Sequence, residues 1–246
     1  MKKTCPTLTL LVVLAFGGLL APASGFSQNT ATNPVPRAGK WMARHEGFVQ
    51  QAKRGDINLL FLGDSITDHW RDRGSNVWNE YYAPLHAANF GISADRIQHV
   101  LWRIEHGELD GIDPKVIVLM IGTNNTGKER DHKTIRNTPP EVIEGVTAIV
   151  HELRTKLPES KILLLAIFPR DKPDSPFRGQ IKEINAGIAP LGDDKMVTYL
   201  DIGPKFLEPD GTLIPGAMLP DMLHPTAKGY AIWAKAMKPT LDAMMK

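Results

Sequence analysis

The chain has 246 residues, 29 Lys and Arg against 27 Asp and Glu, and a single cysteine. Near-balanced charge with no basic stripe argues against nucleic acid as a partner. One cysteine excludes an internal disulfide and a thiolate metal site, so a core must hold the fold, and a chain of this length suffices for one.

Lys2 and Lys3 precede an apolar run, Leu8–Leu20, and the small residues Ala21, Ala23 and Gly25 follow it. This is the layout of a secretory signal peptide, and the run is too short for a comfortable membrane span. Residues 1–25 are therefore read as a leader cut after Ala23 or Gly25, with a retained anchor as the alternative. The product is expected to be secreted or periplasmic, without stable membrane insertion. Cys5 lies ahead of the apolar run and leaves with the leader, so the product is not a lipoprotein. Residues 26–38 are polar and proline-bearing and read as a flexible lead-in. The folded domain is expected over 39–246.

Between Lys40 and Lys53, Trp41, His45, Phe48, Val49 and Ala52 recur at helical spacing. Ile57–Leu62 reads as a buried strand and His86–Phe90 as a short second one. Ile97, Val100, Leu101 and Ile104 mark an amphipathic helix between Asp95 and Gly107. Lys115–Gly122 is an unbroken apolar run, as in a strand covered on both faces. Pro139 and Pro140 open a helix through Leu157. Lys161–Phe168 repeats the buried-strand pattern. A helix around Gln180–Ile188, a weaker strand at Met196–Leu200 and a closing helix over Thr226–Met245 complete the series. Pro239 is expected to kink or interrupt that last helix. This alternation predicts a three-layer α/β domain on a parallel sheet.

In such sheets ligands bind beyond the carboxyl ends of the strands. The residues found there are Gly63-Asp64-Ser65, Phe90-Gly91-Ile92 and Gly122-Thr123-Asn124-Asn125, and Asp221 and His224 stand just before the last helix. Acyl transfer needs these types: a serine nucleophile, a histidine to take its proton, a carboxylate to orient the histidine, and donors aimed at the oxyanion. Each residue taken singly has a plainer reading. Ser65 would be a helix cap, Gly91 a turn residue, the asparagines loop residues, and His224 with Asp221 a cap and a surface acid. Their coincidence in chain order favours catalysis.

"GDSIT", "NFGIS", "IGTNN" and "DMLHPT" resemble the successive blocks of the SGNH, or GDSL, hydrolase family. "HVLWRIEHGEL", "PKVIVLMIGTNN" and "FPR" are similar to segments of the platelet-activating-factor acetylhydrolase catalytic-subunit group. The resemblance implies a flavodoxin-like sheet of five parallel strands. It makes Ser65 the nucleophile, His224 the base and Asp221 its partner, with Ser65, Gly91 and Asn124 as the oxyanion hole. Asn125 stands where the family's third block usually carries an acid, and the leader is absent from the intracellular relatives. The mechanism calls for no metal or organic cofactor. Asp64 is expected to brace the turn, and Asp68 and His69 to sit on a helix surface or line the cleft. Ile66, Ile92, Thr123, Met222 and Leu223 are candidates to wall a small acyl pocket. The expected substrate is a short-chain ester, acetyl above all, on a glycan. The alternatives are a small lipid or phospholipid ester, an acyltransferase or amidase, and a non-catalytic binding module. The relatives imply a homodimer.

Overall fold

The computed structural model describes residues 1–2 and 29–246, so the expected leader lies outside the described residues except for its first two. Five parallel strands form the sheet: β1 (Leu59–Gly63), β2 (Ala87–Gly91), β3 (Val116–Met120), β4 (Lys161–Leu165) and β5 (Val197–Leu200), in the order β2-β1-β3-β4-β5. This is the flavodoxin-like order. Its switch point lies between β1 and β3, where the crevice at the carboxyl ends opens.

Alternation along each strand sends side chains to opposite faces. Leu60, Leu62, Ile117, Leu119, Ile162 and Leu164 point to one side. There they meet α1 (Lys40–Arg54), α4 (Ile97–Glu105), α5 (Pro139–Lys156) and α6 (Pro176–Ile188). Leu59, Phe61, Val116, Val118, Leu163 and Leu165 point to the other side, against Trp70, Tyr82 and α7 (Ala227–Met244). Both faces are covered, which is why these strands read as unbroken apolar runs.

Two expectations change. The lead-in is anchored from Asn29 onward: Asn29 Nδ2 donates to the Glu141 carbonyl of α5 at 3.0 Å, and Ala31 is fully buried. A short stretch with one buried residue and a good side-chain clasp docks despite its polar composition. Pro239 does not interrupt α7. Met237 before it and Leu241 and Met244 after it enter the same core, so packing on both sides offsets the missing hydrogen bond. Between β1 and β2 lie two short helices with no apolar period to announce them, α2 (Ser65–Asp68) and α3 (Ser75–Tyr81).

Candidate active site

β1 ends in Gly63, and the reason is steric. A Cβ there would lie 2.3 Å from the Thr67 hydroxyl and 2.4 Å from the Met120 carbonyl oxygen. The chain turns directly into α2, whose first residue is Ser65. Asp64 caps that helix, accepting the Ile66 N–H on Oδ1 at 3.0 Å. It braces the turn, as expected. Burial pushes the Asp64 carboxyl up to about 7; Asp95 adds to this, while the Ile66 N–H and Arg170 oppose it.

The Ser65 hydroxyl lies 2.9 Å from His224 Nε2, and His224 Nδ1 lies 2.7 Å from Asp221 Oδ2. A carboxylate only accepts, so Nδ1 carries the proton and Nε2 is free to accept from Ser65. Asp221 Oδ1 also accepts the backbone N–H groups of Leu223 and His224, each at 3.0 Å. Partial burial raises the Asp221 carboxyl, but these donors and the imidazole outweigh it and hold the group below the usual carboxylate range. The turn is tight, with Met222 at φ +53° and its carbonyl tied to the Asp171 N–H. Thr226, not His224, caps α7, and Tyr230 on that helix donates to the Ile66 carbonyl at 2.7 Å. The last helix thus grips the helix that carries the serine.

The expected oxyanion donors divide. The Ser65 N–H is engaged by no acceptor among the described residues. Asn124 Nδ2 donates to the Asp95 carbonyl at 2.9 Å and lies 3.4 Å from Asp64 Oδ2, which aims the amide at the serine turn. Gly91 differs from expectation: its N–H is donated to Asn89 Oδ1 at 2.9 Å. Its missing Cβ makes room for α2 rather than for a ligand. In the same loop Ala94 is exposed at φ +64°, and its N–H has no acceptor among the described residues.

The acyl-pocket candidates also divide. Ile66 and Ile92 are 1% and 6% exposed and belong to the core on opposite sides of the sheet, so neither offers a wall to a ligand. Thr123 is buried, and its hydroxyl accepts from Arg170 at 3.3 Å. Met222 and Leu223 are half-buried at the site's edge.

A model of the GDSL-like lipase/acylhydrolase family matches residues 61–232. The chain belongs to this family. Human platelet-activating factor acetylhydrolase IB subunit alpha1 is 34% identical over 216 residues, which span 85% of this chain and 88% of the relative. The rat alpha2 subunit is 38% identical over 217 residues, 88% of each chain. The structure of a catalytic mutant of an acetylxylan esterase from Geobacillus stearothermophilus superposes with a TM-score of 0.59 at 22% identity, covering 74% of this chain and 92% of that one. The protein is accordingly a carboxylic-ester hydrolase.

Beneath the site of this acylhydrolase lies a buried ionic cluster that the motifs do not reveal. Arg103 is fully buried, with Nε 3.0 Å from Asp95 and Nη1 2.6 Å from Glu108, and it donates to the Phe90 carbonyl at 2.9 Å. Asp95 also accepts from Trp41 at 2.6 Å and from Arg37 at 3.0 Å. The signal was legible, since Arg103 falls on the same face of α4 as Val100 and Ile104. Asp68 Oδ1 binds Arg44 and Arg71, and Oδ2 binds the N–H and hydroxyl of Ser93, so it clamps the loop after β2. His69 pairs with Asp72 at 2.9 Å and stands edge-on to His224, ring centroids 5.8 Å apart. Asn125 donates to Gln98 and Asn137 and accepts the Ile97 N–H. Its two donors serve where an acid would have none. Among the described residues no His/Cys/Asp/Glu group is arranged to hold a metal, and no helix is long and apolar enough to cross a membrane.

Proposed function

We propose that the protein is an exported serine esterase that removes short acyl groups, acetyl above all, from carbohydrate. The observation that carries this is the unbroken Ser65–His224–Asp221 hydrogen-bonded chain at the carboxyl end of β1. His224 Nε2 takes the Ser65 proton as Oγ attacks the ester carbonyl. The tetrahedral oxyanion is met by the N–H groups of Ser65 and Ala94 and by the Asn124 amide, with Ala94 standing in for Gly91. His224 returns the proton to the departing alcohol, and then activates the water that frees the acyl group.

The acetyl preference is supported by names on both sides of the comparison, acetylhydrolase subunits among the sequence relatives and acetylxylan esterase among the structural ones. The carbohydrate preference is supported by the basic, apolar and small-residue pattern of the first 25 residues, which suits export to where acetylated glycans occur. The kinship with platelet-activating factor acetylhydrolase subunits supports a second reading, a small phospholipid ester. Product analysis on acetylated xylo-oligosaccharide and on an acetyl-glycerophospholipid separates them. Release of acetate from the glycan alone upholds the first reading, and release from the lipid alone replaces it with the second.

A further inference from the structure

Beside Asn124 opens a cavity of about 650 Å³. Asn124 and Ala94 line it, so it shares a wall with the proposed oxyanion hole. The rest of its lining is charged: Arg37, Arg96, Arg130 and Arg136, against Glu129 and Asp131.

The four arginines are unequally engaged. Arg96 is clasped to Glu129 through two bonds, at 2.5 and 2.8 Å. Arg37 is held by the Ser93 carbonyl and Asp95. Arg136 donates to the Asn124 carbonyl at 3.0 Å, but its Nε is buried without a hydrogen-bond partner, with Glu129 3.7 Å away. Arg130 is exposed and makes no ion pair or hydrogen bond among the described residues. The acids do not balance them. Glu129 is already shared between Arg96 and Arg136. Asp131 keeps its charge and is held by its own loop, accepting from the Lys133 and Thr134 N–H groups and the Thr134 hydroxyl, so in the lining two carboxylates face four guanidinium groups. His99, also in the lining, adds no charge; burial, with Arg37, Arg96 and Arg103 around it, drives it down to about 3.

A concave site with surplus guanidinium, one buried N–H unanswered and one whole side chain unpaired is suited to an oxyanion, which guanidinium binds through paired charge-assisted bonds. We propose that this cavity is a specificity subsite for an anionic group, a carboxylate or a phosphate, carried by the substrate next to the scissile ester. The inference rests on the reading of Ser65 as an ester-cleaving nucleophile, and it narrows the substrate to acylated molecules that carry a negative charge near the ester. A uronic acid unit or a glycerophosphate unit presents that chemistry.

Binding to the Ser65→Ala protein tests the subsite without turnover. Calorimetry with galacturonate against galactose, and with glycerol 3-phosphate against glycerol, reads the two anions separately. At least one anion should bind about tenfold or more tightly than its neutral partner. Adding Arg130→Gln should cut that preference about threefold or more, Arg130→Lys should keep part of it, and rising salt should erode it. The wild-type enzyme should show the same order in kcat/KM on acetylated methyl galacturonoside and galactoside. Equal affinities within both pairs would overturn the subsite. Hydrolysis of neither ester nor of p-nitrophenyl acetate, with the anion preference intact in the binding arm, would uphold the subsite and remove the esterase role from Ser65.

Discussion

Gly91 lies so close to Asp68 that a Cβ on it would come within 2.3 Å of the Asp68 backbone nitrogen. Together with the Gly91 N–H bond to Asn89 Oδ1, this makes the glycine a packing residue between β2 and α2. Asn89 completes the joint by donating to the Thr67 and Asp68 carbonyls. Gly91→Ala should therefore act on stability, costing about 2–4 kcal/mol, because the obstacle is backbone rather than a yielding side chain. Ala94→Gly should keep activity and gain about 0.5–1 kcal/mol by relieving a left-handed non-glycine residue. Thermal melts paired with kcat per folded molecule check both. A stable Gly91→Ala protein with lost kcat would return the oxyanion role to Gly91.

Asp221→Asn keeps an acceptor for the two backbone donors but no longer fixes the His224 tautomer. The expected loss is about 10³–10⁴ in kcat with a near-wild-type melting temperature. Because the Asp221 carboxyl is held below its usual range, it stays ionised in mild acid, so the loss should be uniform across roughly pH 6–8. Rate profiles of the two proteins over that range provide the check.

Asp64 predicts a pH effect on stability. Its folded pKa, about 7, lies above the 3.8 of an ordinary aspartate, so the folded state holds this proton more tightly than the unfolded one. The contribution is full below about pH 4 and is lost as pH rises toward 7, by a few kcal/mol at most. Asp64→Asn keeps a cap for the Ile66 N–H and cannot ionise. The wild-type stability minus that of the variant should fall between about pH 4 and 7 and level off above. Urea titrations across that window measure it, and a flat difference would contradict the burial argument.

Arg103→Met would leave Asp95 and Glu108 as buried carboxylates without their shared cation. The expected cost is about 3–5 kcal/mol, because breaking one side of a buried cluster leaves uncompensated charge. Since Arg103 also holds the Phe90 carbonyl, activity should fall with the folded population. Denaturant unfolding alongside kcat per folded molecule tests this, and a fully stable variant would contradict it.

The parts of the fold readable from sequence are those where physical chemistry acts locally. Apolar runs such as Val116–Met120 and the 3.6-residue period of Ile97, Val100, Leu101 and Ile104 mark burial directly, so the sheet and its long helices could be placed. The Ser65, Asp221 and His224 types, each at a strand end or before the last helix, themselves point to the hydrogen-bonded chain. What stayed hidden depends on neighbours distant in sequence. Nothing in an alanine announces the left-handed backbone of Ala94, and nothing near Gly91 shows that α2 will press against it. Ile66 and Ile92 sit beside site motifs in sequence, yet strand and helix geometry turns both into the core. Arg136 reaches the rim cavity only because the loop after β3 folds back over Asn124.

Hydrolysis of p-nitrophenyl acetate, butyrate and octanoate by wild type, Ser65→Ala and His224→Ala tests the mechanism most directly. The expected result is fastest cleavage of the acetate, a steep decline with chain length, and background rates in both variants, which remain folded. Undiminished acetate cleavage in Ser65→Ala would contradict the assignment of the nucleophile, and a rate that rises toward octanoate would contradict the short-acyl specificity.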